Sequence, residues 1–271
     1  MINDKRGIEI VKRIFLREEE SDIYLKDKNN IKIGVVGIAP GVGTSVIATS
    51  LAKELSRNKK KRVAYAEISN DENKAFLYDS LGMDKRFAGR KFFDFHRAVT
   101  DGIHINDQIN LDEKINWALR LPSMAKNVEQ YLGLNSMQTC RLINHLCGDI
   151  IVCDISWDEM IDDVLLEMDY LVAVVDPMPS KLIFGYEHLC VLKRSESLGR
   201  KTIWVVNKYN EGVNKREFLE FTKLKKEIYI PYVQQEYFYN AEYNCKLAYT
   251  SMKIYDGFRQ PIQDVVSKLG L

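Results

Sequence analysis

One run of 25 residues, IKIGVVGIAPGVGTSVIATSLAKEL at 31–55, constrains the chain more than any other. An apolar stretch of strand character leads into glycines, and the glycines lead into residues with helical periodicity. A glycine-rich turn of this kind points successive backbone N–H groups into one concavity at the helix N-terminus, where the helix dipole also favours an anion. Gly41 and Gly43 stand where the backbone must turn with positive φ or approach an anion closely, and Ser45 offers a hydroxyl suited to Mg2+. The expected phosphate cradle is therefore Pro40, Gly41, Val42, Gly43, Thr44, Ser45 and Val46. The strict pattern GxxxxGK[ST] is not met. Ile38 holds the place of its first glycine and Thr44 the place of its lysine. A glycine turn used only for packing is the alternative that the motif alone leaves open.

The rest of the chain says which sheet such a loop would belong to. Seven short runs rich in Val, Ile and Tyr read as strands: 31–37, 62–68, 115–121, 149–155, 170–176, 201–207 and 227–233. Most are separated by segments of helical period, which predicts a doubly wound, mostly parallel α/β sheet covered on both faces. Helices are expected at 45–57, at 135–147 with Asn135 or Ser136 as cap, and from near Ser180. The last would place Leu182, Ile183, Tyr186, Leu189 and Cys190 on one face. Residues 1–30 read as an N-terminal extension and 31–271 as a single domain. The segment 70–114 reads as a helix-rich excursion from the sheet, and the tyrosine-rich 234–249 as a long loop running into a helix.

In a parallel sheet, ligands gather at the carboxyl ends of the strands. The cradle, the turn Ser69–Asn70, Asp154, Asp176, Asn207 and the loop after Pro231 all fall at such ends. An aspartate closing a strand, as Asp154 does in DIIVCDIS, suits a carboxylate holding Mg2+ through water, although a turn or helix cap is an equal use of it. Ser45 and Asp154 are thus the expected Mg2+ pair, with Asp154 the catalytic candidate if the chain is active.

Other patterns carry less. A formal net charge of +1 gives no global pull toward nucleic acid or anionic membrane. The five cysteines form no CxxC pair, which fits free thiols in a reducing compartment. No apolar run approaches the roughly 20 residues of a membrane span, and the expectation is a cytoplasmic protein. The four histidines lack ligand spacing for zinc. The basic run RNKKKR at 57–62 reads as a solvated helix end, and Asp158, Glu159, Asp162 and Asp163 as a first helical turn. Tyr237, Phe238 and Tyr239 read as an aromatic packing cluster, and QPIQDVVSKLGL as a short packed helix.

The order of these pieces resembles the ParA/MinD family of deviant P-loop ATPases. IKIGVVGIAPGVGTSVIATSLAKEL is similar to the family's opening strand, loop and helix, and KRVAYAEIS to its second strand. GDIIVCDIS resembles its Walker B strand, and MDYLVAVVDPMPSKL the strand and proline-containing loop that follow. KTIWVVNKYN resembles the strand ending in the asparagine that contacts the base, and YIPYVQ the closing strand and base-side loop. The resemblance implies ATP or ADP with Mg2+ as ligand, Asn207 and Pro231 on the base side, and a homodimer.

It also shows departures. Ala39 stands at the signature lysine that reaches across the family's dimer, Thr44 at the Walker A lysine, and Glu67 at the first aspartate of the second strand. DISWDE lacks the family's switch II proline and glycine. A GVGTS loop resembles the degenerate TadZ/CpaE-like branch, which implies weak or absent hydrolysis and a role as a localisation or assembly factor in cell-envelope machinery. That role implies a protein partner that recruits the chain to the inner face of the membrane. An active partition- or MinD-type ATPase would need another cation, for which Arg90, Lys91 and Arg97 are unranked candidates. A nucleotide-free scaffold is the third alternative.

Overall fold

The structure is a computed structural model, and it describes residues 30–58, 60–69, 76–122, 133–157 and 161–271. The expected extension at 1–30 lies outside the described residues, Asn30 apart, as do Asn70, Asp158 and Glu159. In chain order the elements are β1 (Ile31–Gly37), α1 (Thr44–Leu55), β2 (Val63–Ile68), α2 (Phe76–Ser80), α3 (Met83–Arg86) and α4 (Phe95–Thr100). Then come β3 (Leu111–Asp112), β4 (Ile115–Ala118), α5 (Ser136–His145), β5 (Ile150–Ile155), α6 (Ile161–Leu166) and β6 (Tyr170–Val175). The chain closes with α7 (Pro179–Phe184), α8 (Tyr186–Ser197), β7 (Lys201–Tyr209), α9 (Lys215–Thr222), β8 (Ile228–Pro231), α10 (Gln235–Tyr243) and α11 (Met252–Leu269).

The strands form one sheet in the order β3-β4-β2-β5-β1-β6-β7-β8. Pairing is parallel throughout, except that the two-residue β3 runs antiparallel to β4. All six residues of β2 and all six of β5 are buried, as strands covered on both faces must be. α1 packs on β1, β2 and β5, and α11 lies beside it against β8. The stripe that α11 buries is Ile254, Phe258, Ile262, Val265 and Leu269, spaced at three and four residues along its inner face.

This order fixes where a ligand can sit. β1 is flanked by β5 and β6, and the chain leaves β1 toward β2 on one side while β6, β7 and β8 extend the sheet on the other. The loop after β1 therefore opens over the switch point of a doubly wound sheet, where strand ends diverge and leave a crevice.

The expected doubly wound sheet is the one observed, with the small β3 as an eighth strand. Asn135 caps α5, accepting from the Gln138 N–H while the Gln138 side chain answers the Asn135 N–H. Three expectations need correction. The helix predicted from Ser180 starts at Pro179 and breaks at Gly185, where a Cβ would lie 2.4 Å from the Ile38 carbonyl oxygen. The break rotates its second half, so Leu182, Leu189 and Leu192 are buried while Ile183, Tyr186 and Cys190 are exposed. The segment 234–249 begins as a helix, α10, and loosens afterwards, the reverse of the order expected. The short C-terminal helix is instead the 18-residue α11, because Ile254 and Phe258 extend its apolar stripe backwards.

Candidate functional site

The backbone makes the loop that its glycines predict. Gly41 has φ +76° and Gly43 φ +95°, a left-handed pair that L side chains rarely adopt. Gly43 is also crowded, since a Cβ there would fall 2.4 Å from Asn207 Nδ2. It N-caps α1 with no side chain bonding the first-turn N–H groups, so the donors a helix leaves over at its start face the crevice.

The loop's own side chains turn away from that crevice. Val42 is fully buried, and a Cβ on Gly37 would lie 2.5 Å from Val42 Cγ2 and 2.2 Å from Thr44 Oγ1. Thr44 is thus folded down on the end of β1, and Ala39 is buried in the core. The two positions where the resemblance would place lysines present no charge.

Ser45 remains, exposed at the start of α1. Its hydroxyl lies near enough to Asp154 to favour the charged carboxylate, and the Tyr65 phenol donates to the same carboxylate at 2.8 Å. Asp154 itself is 8% exposed, and its burial raises its pKa while these two hydroxyls pull it back. Register places Glu67 beside Asp154 on the neighbouring strand. Burial pushes the Glu67 carboxyl up to about 8, against a hydrogen bond from the Arg120 N–H at 3.1 Å and with the Asp154 charge adding to the rise. The Arg120 guanidinium donates to the Ser69 carbonyl at 2.6 Å. His96 Nε2 donates to the Glu67 carbonyl at 2.8 Å, and burial lowers its pKa to about 4.

On the opposite side of the loop the structure supplies what was not foreseen. Asn207 is buried, and its side-chain amide donates to the Val42 carbonyl at 2.8 Å, so it clamps the loop. Lys208 Nζ donates to the Gly41 carbonyl at 2.6 Å and pairs with Asp176 at 3.0 Å. Lys181 Nζ donates to the Pro40 carbonyl at 2.7 Å. Two ammonium groups therefore flank Gly41. Lys208 follows Asn207 at the end of a strand, and that adjacency was the available signal, while Lys181 comes from α7. Arg90, Lys91 and Arg97, the cations expected from 70–114, are not the ones at the loop.

The remaining candidates are placed elsewhere. Arg90 lies 4.6 Å over the Phe87 ring, and Arg97 pairs with Asp101 at 3.4 Å. Pro231 ends β8 in register with Tyr209, two residues beyond Asn207. Of the basic run, Arg57 donates to the Tyr255 hydroxyl at 2.6 Å and Arg62 pairs with Asp149 at 3.1 Å. Trp157, just after β5, stacks on His188 at 3.8 Å and donates to the Gly37 carbonyl, while His188 Nδ1 donates to the Ile38 carbonyl at 2.8 Å.

These residues fit a magnesium nucleotide. Two left-handed glycines shape the turn, the α1 donors lack side-chain caps, and an exposed hydroxyl stands near a buried carboxylate.

No protein-family model and no curated protein sequence matches the chain. Solved structures do. A Borrelia burgdorferi protein assigned to plasmid partition, bound to AMPPNP, superposes with a TM-score of 0.66 at 18% identity, over 88% of this chain and 99% of that one. A ParA family ATPase from Chlorobium tepidum TLS gives 0.66 at 16%, over 89% and 99%. The septum site-determining protein MinD from Pyrococcus horikoshii OT3, complexed with Mg-ADP, gives 0.66 at 16%, over 87% and 96%. At these identities the likeness is one of fold: the architecture is that of the ParA/MinD P-loop ATPases.

Proposed function

We propose that this chain binds ATP or ADP with Mg2+ at the loop 39–46 and acts chiefly by assembling with partners, with slow or absent hydrolysis. The observation that carries this reading is the exposed Ser45 hydroxyl set against the buried Asp154 carboxylate, beneath a glycine loop whose helix start has no side-chain cap. Pro40, Gly41, Val42, Gly43, Thr44 and Val46 would cradle phosphates through backbone N–H groups, Pro40 contributing shape alone. Ser45 and Asp154 would hold the metal, the latter through water, and Asn207 and Pro231 would border the base. Bound Mg2+ would supply charge neutralisation between phosphate oxygens. By its loop and its lost lysines, the chain fits a TadZ/CpaE-like localisation or assembly factor that works as a homodimer and is recruited to the cytoplasmic face of the membrane by a protein partner.

Titration of ATP and ADP with Mg2+ by calorimetry tests the reading. Binding that Gly43→Arg abolishes, with no phosphate released over hours, is the expected result. No binding at millimolar nucleotide would leave only a scaffold.

One observation favours a second reading, a hydrolysing ATPase. Lys181 and Lys208 place cations beside the loop that its sequence lacks, and a cation on the transferring phosphate is worth about 10³–10⁵ in rate in related chemistry. Single-turnover hydrolysis, with Asp154→Ala as control, separates the two readings.

A further inference from the structure

We infer that Lys181 and Lys208 are the phosphate-binding cations of this site, taking over from outside the loop the charge that Thr44 and Ala39 do not supply. This rests on the proposed nucleotide reading and names what that site selects: a polyphosphate, bound more tightly the more charge it carries.

The shape of β7 brings Lys208 to the loop. Successive residues of a regular strand point to opposite faces, so Asn207 and Lys208 should not serve the same loop. The β7–β8 register shifts between Val206 and Tyr209, and Lys208 has φ +58°, a left-handed conformation that costs a non-glycine residue about 1–2 kcal/mol. A bulge of this kind re-aims side chains. Its effect is that Asn207 reaches the Val42 carbonyl while Lys208 reaches the carbonyl of Gly41, one residue earlier.

The charges around the loop do not balance. Lys208 shares its ammonium between the Gly41 carbonyl and Asp176, which is 5% exposed. Asp176 is held in turn, because it also accepts from the Met178 N–H at 3.0 Å in the turn that leads into α7. Lys181 comes from α7 and bonds the Pro40 carbonyl, and among the described residues no carboxylate is paired with it. Two ammonium groups on consecutive carbonyls thus share one carboxylate. The arrangement is left with one uncompensated positive charge at the mouth of a helix N-terminus.

Both ammonium groups are within reach of an anion at the loop. Each lysine holds a neutral carbonyl, a weaker partner than a phosphate oxygen for an ammonium group. Lys208 is 40% exposed at its side chain, and Nζ of Lys181 would stand 3.5 Å from a Cβ on Gly41, so both amines lie at the surface of the loop rather than in the core. Exchanging a carbonyl for a phosphate requires only rotation of the long side chains.

The test measures Mg2+-nucleotide affinity by calorimetry for ATP, ADP and AMP, in the full chain and in Lys181→Gln, Lys208→Gln, the double variant, and the Arg substitution at each position. The expected wild-type order is ATP over ADP over AMP. Each Gln variant should weaken ATP by roughly 10–100-fold, and AMP by less than about threefold. Arg at either position should restore most of the ATP affinity. A lysine that only props the loop would lower all three ligands alike and would not be rescued in this charge-graded way. Equal losses for the three nucleotides, or full ATP affinity in the double variant, would overturn the assignment and leave nucleotide binding standing. A wild-type chain that binds none of them at millimolar concentration removes the assignment and the site together. Because Lys181 lies on the surface of a short helix, its variant remains informative even if the left-handed position 208 tolerates change poorly.

Discussion

Glu67 and Asp154 stand side by side in register on adjacent parallel strands, two carboxyl groups buried to within 8% exposure, the first accepting from the Arg120 N–H and the second from the Tyr65 phenol. Burial raises both pKa values, and Glu67 reaches about 8. At neutral pH Glu67 is therefore mostly protonated, and burial holds Asp154 above the usual carboxylate range as well.

That proton makes stability depend on pH. A carboxyl whose folded pKa is raised binds more protons folded than unfolded, so its contribution is complete below about 4.5 and is lost as pH climbs toward about 8. His96 acts in the opposite sense, since its lowered pKa removes stability as pH falls from about 6.5 toward 4. The two overlap in acid and separate above pH 6.5. Denaturant unfolding should thus show stability falling by on the order of a few kcal/mol between pH 6.5 and 8.5, and Glu67→Gln should flatten that slope. An unchanged slope in Glu67→Gln would assign the proton to Asp154.

Removing Asp154 should separate metal from nucleotide. Asp154→Asn keeps the size of the side chain and its contact with Ser45 but loses the charge. Nucleotide affinity in EDTA should stay within about threefold, while the gain on adding Mg2+ should shrink by roughly tenfold or more. Calorimetry with and without metal reads both. A variant with the full Mg2+ gain would exclude the carboxylate from the metal site.

Gly43→Ala meets two penalties, a left-handed backbone at φ +95° and a Cβ 2.4 Å from Asn207 Nδ2. A loss of about 1–3 kcal/mol in unfolding free energy is expected. Part of it belongs to the collision, so Asn207→Ala should recover some of the loss when combined with Gly43→Ala. A double-mutant cycle that is strictly additive would mean that Asn207 yields without cost.

Trp157 offers a direct signal. Its ring lies flat on His188 with 6° between planes, and its indole N–H holds the last carbonyl of β1. Trp117 and Trp204 are buried in the sheet. Nucleotide binding should therefore change fluorescence chiefly through Trp157, and Trp157→Phe should remove most of that change while leaving affinity within about tenfold. A signal that survives in Trp157→Phe would locate the rearrangement elsewhere.

Much of this fold is legible because burial on both faces writes continuous apolar strands, such as YLVAVV in β6, and because Gly41 and Gly43 mark a turn that few other residues can make. The Ser45–Asp154 pairing was legible for the same reason, since both stand at carboxyl ends of adjacent strands. What stayed hidden depends on distances across the chain. Nothing local announces that Gly185 must be small to pass the Ile38 carbonyl, so the break between α7 and α8 and the turned-out Ile183 and Tyr186 were misread. The lysines were hidden differently. Their charge is plain in the sequence, but only the bulge in β7 and the turn before α7 bring it to residues 40 and 41.

The same passage at Gly185 makes α8 a lever. Its first turn touches the root of the loop twice, through the closely approached Gly185 and through His188 on the Ile38 carbonyl. Its 12 residues extend about 18 Å from that fulcrum, ending beside Leu198, which is 80% exposed. A tilt of about 10° at the pivot moves the tip by about 3 Å. A shift of a few tenths of an ångström where β1 ends would thus emerge, magnified, at a surface that never meets the ligand.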